Sequence, residues 1–387
     1  MIWSVGLLYV LLECVQYYRH SQHVARLNRP CRHNSTQATE ALAALVRKNG
    51  GIQTVLWRIQ EFGSVRSLKH IRTSADLERA TASTASSNAP EPAHVWCIGR
   101  SRLQWAYRPM LMEGSLWCIR AIGELRMYQT GFKRTDHPTI DGTYCVWTKR
   151  VDGTRPLLVF PGLGLGAIPY ASIAASFGRT VHVVEVPNFG PASSRSDTHG
   201  TSHTLYTVVA AHVPDHTLDI LAHSFGTAVA TTYLNVVQLL SADALPVQQA
   251  VFCDGFTHST DFVRSMLYPF VDSSDRGQHV GLHVSLLEYR IFLRFAMQKY
   301  EFATFAKRSH TLYDGTLWRA YPTVRMLHVY GTHDMLYDVP YIRSRSSDTE
   351  MEQFLFVEQG KHGACLFGPR NVVAAIDTWF NERLDPM

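Results

Sequence analysis

Ser224 stands in the pentapeptide Ala222-His223-Ser224-Phe225-Gly226. Small residues two before and two after a serine let a strand and a helix meet at a sharp turn, which lifts the hydroxyl clear of both. The pattern is G-x-S-x-G, with alanine in place of the first glycine. A serine hydroxyl is a weak nucleophile at its free pKa; it needs a base, an acid to orient that base, and donors for the developing oxyanion. The chain holds a candidate for each role. His362, in Gly360-Lys361-His362-Gly363, is the expected base, and Asp334, in Gly331-Thr332-His333-Asp334, the expected orienting acid. In Pro161-Gly162-Leu163-Gly164 the backbone N–H of Leu163 is placed to meet an oxyanion, and the N–H of Phe225, directly after the serine, completes the pair.

Each residue also has an ordinary reading. Ser224 could serve only as a helix N-cap, and His362 could be a plain loop histidine. Asp254, after the run Ala250–Cys253, is an alternative acid, because orienting carboxylates are defined by geometry and not by position. Asp338 is a lesser alternative. His333 adjoins Asp334, but neighbouring side chains of an extended segment diverge. His199/His203 and His212/His216 have the i,i+4 spacing of helical metal ligands. No His-Glu-x-x-His occurs and no partner carboxylate is suitably placed, so solvated or capping histidines are expected there and no metal.

These residues need a scaffold that brings distant loops together. Tyr144–Thr148, Pro156–Phe160, Val181–Val186, Thr217–Ala222, Ala250–Cys253, Thr323–Tyr330 and Phe354–Val357 read as strands, several of them continuously apolar as in strands buried on both faces. Ile168–Phe177, His203–Val213, Phe225–Leu240 and Asn371–Phe380 read as helices between or after them. Strands alternating with helices predict an α/β fold, a mostly parallel sheet covered on both faces. Such sheets carry their chemistry in loops beyond the carboxyl ends of the strands, and every candidate above falls in one.

On those motifs, residues 142–387 resemble the α/β-hydrolase superfamily, with a helical cap inserted at 256–322. Within it, the stretches LLVFPGLGLGAIPY and LAHSFGT are most similar to poorly characterised hydrolase-like, membrane-associated proteins of fungi and protists. The resemblance implies that the upstream region, including RPMLMEGSLWCIRAIGELRMYQTGF, belongs to the same unit. Two departures stand out: Ala222 replaces a glycine, and Pro161 stands where many relatives carry histidine. Neither removes a reacting group.

The rest of the chain is different in character. Residues 1–150 carry 20 Lys+Arg against 10 Asp+Glu, whereas 151–387 carry 17 against 22. Charged residues are only 18% of the whole, below the roughly 25% usual for globular chains, so a large buried or membrane-facing surface is expected. Ile2–Leu12 is an apolar run, bounded by aromatics and followed by Arg19, Arg26, Arg29 and Arg32. It reads as a membrane anchor or in-plane helix with the body on the cytosolic or matrix side, since no positive charge precedes it as in a secretory peptide; a buried helix of a globular fold, or one packed on a partner, is the alternative. The expected organisation is a helical membrane- or partner-associated segment at 1–80, a linker at 81–93, a helical extension at 94–141 containing a helix near Leu111–Met127, and the hydrolase-like unit. The cap holds 13 aromatic residues among 67, which suits an acyl chain or another lipophilic group, burial against a partner subunit, or core packing within the cap itself. The seven cysteines are scattered, without C-x-x-C, which excludes a disulfide framework and a cysteine zinc site.

Two functions follow as expectations. One is a membrane-associated serine esterase or lipase acting on a lipophilic ester without a cofactor. The other is a non-catalytic accessory subunit of a membrane protein complex, with the inner mitochondrial membrane as a candidate location. Nucleic acid is not an expected partner, because the basic residues are dispersed and form no recognised module.

Overall fold

A computed structural model describes residues 2–27, 110–139, 142–162, 166–186, 202–213, 217–240, 247–255, 321, 323–334, 339–368 and 370–382. Most of the segment 1–109, the linker at 81–93 and all of the cap except Tyr321 lie outside these residues, as do Leu163, Asp338, His199 and His216.

The strands are β1 (Lys133–Thr139), β2 (Gly142–Lys149), β3 (Leu157–Phe160), β4 (Val181–Glu185), β5 (Leu218–His223), β6 (Val247–Cys253), β7 (Arg325–Gly331) and β8 (Glu352–Val357). They form one sheet in the order β1-β2-β4-β3-β5-β6-β7-β8. Strands β1, β2 and β4 pair antiparallel, and the remaining pairs are parallel. The α/β-hydrolase fold expected from the sequence is therefore present. The helices are α1 (Ile2–Leu27), α2 (Met110–Gln129), α3 (Ala171–Ser176), α4 (Ser202–Ala210), α5 (Phe225–Leu240), α6 (Val339–Arg345), α7 (Ala364–Phe367) and α8 (Arg370–Asn381).

Alternation along the strands builds two cores. Leu158, Phe160, Ile220, Ala222 and Phe252 face α4 and α5, packing on Val209, Ala230 and Tyr233. Leu157, Val159, Val183, Leu221 and Val329 face the other way, onto Met127 of α2, Ala171 and Ala174 of α3, and Ile376 and Phe380 of α8. Both faces of the central strands are thus apolar, which explains their continuous apolar runs. The chain moves from β3 outward to β4 and then returns to the opposite side of β3 as β5. That reversal opens a crevice at the carboxyl ends of the strands.

The amino-terminal expectation is corrected by the structure. No helix among the described residues is long and apolar enough to cross a membrane. The apolar run does lie in a helix, but α1 continues through Glu13, Gln16, Arg19 and Arg26. The eleven-residue run Ile2–Leu12 spans about 16 Å of helix, roughly half of a bilayer's hydrocarbon core. Glu13 is engaged in protein contact, its Oε1 accepting the Met110 N–H of α2 at 2.6 Å. The membrane-spanning anchor is overturned by this finding, and with it the anchor-based readings of a membrane-associated enzyme or a membrane-complex subunit.

At the end of the sheet remote from the crevice, Asp219 of β5 is fully buried. Its Oδ2 accepts from Arg155 Nε at 2.8 Å and from Arg179 Nη2 at 2.7 Å. Arg155 Nη2 continues to Gln249 Oε1 at 2.8 Å, joining β5 to β6. Removing one member of a buried ion cluster leaves the other charges uncompensated. Asp219→Ala is expected to destabilise the fold by about 3–5 kcal/mol, read as a lower denaturant midpoint, without changing the reactivity of Ser224 in the fraction that remains folded.

Candidate active site

Ser224 lies in the turn between β5 and α5 with φ of +52°, a left-handed conformation uncommon outside glycine. Its N–H donates to Cys253 O at 2.8 Å, and its carbonyl accepts the Thr227 N–H at 3.0 Å. The spacing of small residues has a direct cause. A Cβ on Gly226 would lie 2.2 Å from Phe160 O and 2.6 Å from Pro161 O, so only glycine lets α5 start against the end of β3. Ala222, paired with Phe160 and Phe252, is fully buried, and its methyl joins the core where the sequence pattern has glycine.

Asp334 and His362 come from the turns after β7 and β8. The two turns are tied together: His333 N–H donates to Gly360 O at 2.8 Å, and a Cβ on Gly331 would lie 2.4 Å from Gly360 O. The imidazole lies between acid and serine, with His362 Nδ1 2.7 Å from Asp334 Oδ2 and His362 Nε2 2.9 Å from Ser224 Oγ. These partners assign the proton to Nδ1, which donates to the carboxylate, and leave Nε2 to accept the serine O–H. Burial works against charge on His362, but Asp334, by charge and hydrogen bond, and then Asp254 outweigh it and raise the pKa to about 9.

Asp254, the alternative acid, is buried beside this trio. Its Oδ1 accepts the Gly331 N–H at 3.0 Å; its Oδ2 accepts the Gly363 N–H at 2.7 Å and the Cys365 thiol at 3.1 Å. Burial, with the charge of Asp334, pushes the Asp254 pKa up to about 6. Of the two expected oxyanion donors, Phe225 opens α5 directly after the serine, and Leu163 lies outside the described residues.

Sequence reasoning missed three groups around the turn after β3. The Tyr170 hydroxyl accepts the Gly162 N–H at 2.7 Å and lies 2.6 Å from His223 Nδ1. Burial holds the His223 pKa well below its usual value, which favours the neutral ring, and its Nδ1 accepts the hydrogen bond of the Tyr170 O–H. Glu185, at the end of β4, accepts the Ala167 N–H at 2.6 Å and meets Arg120 of α2 at 3.1 Å. No spacing rule links these residues; they meet only because the sheet places β3, β4 and β5 side by side.

Two clusters of metal-ligating types occur among the described residues, His223/Asp254/Cys365 and Asp254/Asp334/His362. Their donor chemistry fits hydrogen bonding better than an ion. Both Asp254 oxygens already accept backbone N–H groups, and burial pushes the Cys365 thiol well above its usual pKa, keeping it protonated. Of the histidine pairs with helical spacing, His212 instead meets His137 of β1, Nε2 to Nε2, at 2.6 Å.

Residues 157–375, more than half of the chain, match the Alpha/beta hydrolase family, and the chain belongs to it. Membership supports a hydrolase enzyme in general. No curated protein matches the sequence. Among solved structures, a putative lipase from Acinetobacter baumannii is 12% identical with a TM-score of 0.49, covering 68% of this chain and 95% of its own. A membrane phospholipase A, described as a bacterial virulence factor, is 14% identical with a TM-score of 0.48, covering 70% and 92%. Carboxylesterase CesB from Bacillus subtilis is 14% identical with a TM-score of 0.46, covering 69% and 98%. The family match reaches the superfamily and goes no further: nothing in these comparisons points to a fungal, protist or membrane-associated lineage.

The His362–Asp334 pair has a consequence for stability. The histidine pKa stands at about 9 in the fold against its ordinary 6.5. A raised histidine pKa stabilises the fold fully below the unfolded value and loses that contribution as pH rises through the folded one. The excess stability of wild type over His362→Gln is therefore expected to be constant below about pH 6.5 and to decline up to about pH 9. Paired denaturant unfolding curves across that window check it.

Proposed function

We propose that the chain is a serine ester hydrolase with Ser224 as nucleophile, His362 as general base and Asp334 as orienting acid. The observation that carries the reading is the continuous hydrogen-bonded path from Asp334 through His362 to Ser224, 2.7 and 2.9 Å. The left-handed backbone at Ser224 supports it as well, since strain of that kind persists where the surroundings over-determine it.

In this reading Ser224 Oγ attacks the ester carbonyl carbon as its proton passes to His362 Nε2. The imidazolium formed is stabilised by Asp334, and the tetrahedral oxyanion by the N–H groups of Phe225 and Leu163. Collapse breaks the bond to the alcohol oxygen, which takes the proton from His362 and leaves an acyl-serine. Water then repeats the sequence, giving up a proton to His362 and releasing the acid. No cofactor enters any step. The segment 256–322, inserted between β6 and β7, is assigned here as the cap, and its aromatic content favours a lipophilic acyl group.

Because only the neutral imidazole can take the serine proton, reactivity is expected to rise with pH and to level off above about 9, the His362 pKa. A fluorophosphonate probe should label wild type and leave Ser224→Ala unlabelled. Turnover of a p-nitrophenyl ester series should fall roughly 10⁴- to 10⁶-fold in Ser224→Ala, with longer acyl chains preferred in wild type. A native protein that takes no label at any pH in this range would sink the reading.

A further inference from the structure

The end of β6 contacts all three arms of the site. The Cys253 carbonyl accepts the Ser224 N–H at 2.8 Å. The next residue, Asp254, receives on one carboxylate oxygen the N–H of Gly331, three residues before Asp334. It receives on the other the N–H of Gly363, directly after His362. Its own N–H donates to Val329 O of β7 at 2.7 Å. Gly255 in turn packs on Thr227, where an added Cβ would lie 2.9 Å from Thr227 Cγ2, and Thr227 is bonded to the Ser224 carbonyl. Nucleophile, acid and base come from three different strands, yet each is referenced to residues 253–255.

Asp254 also has φ of +46°, one of three non-glycine residues with positive φ among those described, together with Ser224 and Gln359. Such a backbone costs of order 1 kcal/mol or more and persists where neighbours over-determine it. The carboxylate is completely buried. A group in that environment is costly unless its hydrogen bonds are made, and here they are made to the two loops that carry the reacting groups.

We propose that Asp254 is a positioning residue of this site: it holds the Asp334 and His362 loops in register with each other and sets the charge behind the imidazole. This rests on the serine-hydrolase reading and deepens it. The groups facing Asp254 are Asp334, His362, Cys365 and His223, the last with Nε2 at 3.9 Å from Asp254 Oδ2. His362 faces Asp334, Asp254, Ser224 and the neutral ring of His223, whose centroid lies 5.4 Å away. Asp254 is thus the second negative charge acting on the base, and it favours the imidazolium.

The test compares the pH dependence of fluorophosphonate labelling in full-length wild type, Asp254→Asn and Asp254→Gly, each normalised to its folded fraction by circular dichroism. Asparagine keeps the shape and tolerates positive φ; glycine removes the side chain and the backbone cost together. Labelling is expected to slow roughly 10- to 100-fold, the scale of a misplaced catalytic group. In Asp254→Asn the midpoint of the pH rise is expected to move to lower pH than in wild type. Wild-type rate and midpoint in the folded variants would overturn the positioning role and leave the serine-hydrolase reading standing. A lower melting temperature with an unmoved midpoint overturns it too, as does failure of both variants to fold, for either makes Asp254 a structural residue only. A wild type that takes no label overturns both readings.

Discussion

The start of α5 lies against the carbonyl oxygens of Phe160 and Pro161, closer than any Cβ at position 226 would allow. From that approach follow the turn between β5 and α5, the left-handed backbone of Ser224 and the direction of its hydroxyl. The turn is held from below by the Cys253 carbonyl and from the helix side by Thr227. Close-packed β3 and β6 on either side of β5 keep it from relaxing into an ordinary strand end. A second close approach, Gly331 against Gly360, does the same for the loops that carry Asp334 and His362. Backbone packing thus sets the frame of the site, and hydrogen bonds to its polar side chains complete it.

Electrostatics then divides the two buried aspartates. Asp334 faces the imidazole and stabilises its charge. Asp254 faces amide N–H groups and a thiol, and burial beside another carboxylate raises its pKa to about 6. Two buried carboxylates beside one histidine would be costly without such a division, since like charges cannot both be ionised freely at short range. The backbone donors of Gly331 and Gly363 supply part of the missing solvation.

The upstream helix α2 is built into this arrangement. Its Gly123 lies so close to Ile168 that a Cβ would stand 2.2 Å from Ile168 Cγ2. Arg120 reaches the Glu185 carboxylate that also holds the Ala167 N–H. The basic front of the chain therefore meets the hydrolase unit through an ion pair beside the turn after β3. Trp117, Ile122 and Leu125 of the same helix remain exposed, so its apolar content is not explained by this docking alone.

Much of this was legible from residue types and spacing. The α/β alternation followed from apolar runs between turn residues, because strands buried on both faces admit little else. Ser224, Asp334 and His362 could be picked out because each follows a strand end, where this fold collects polar groups. The edge strand β1, Lys-Arg-Thr-Asp-His-Pro-Thr, could not: an exposed edge needs no apolar period, and its pairing with β2 is a tertiary fact. The short helix α6 escaped for the same want of pattern. The apolar run at the amino terminus is too short for a membrane span: it ends at Glu13, whose carboxylate accepts the Met110 N–H of α2. What composition and order determined was the class of fold and the chemical types at its loop ends. That Asp334 hydrogen-bonds the imidazole while Asp254 accepts the N–H groups of Gly331 and Gly363, and that Tyr170, His223 and Glu185 gather round the turn after β3, was decided only by tertiary structure. Those relations join residues tens to hundreds of positions apart, and register across a sheet is set by packing, which no local spacing encodes.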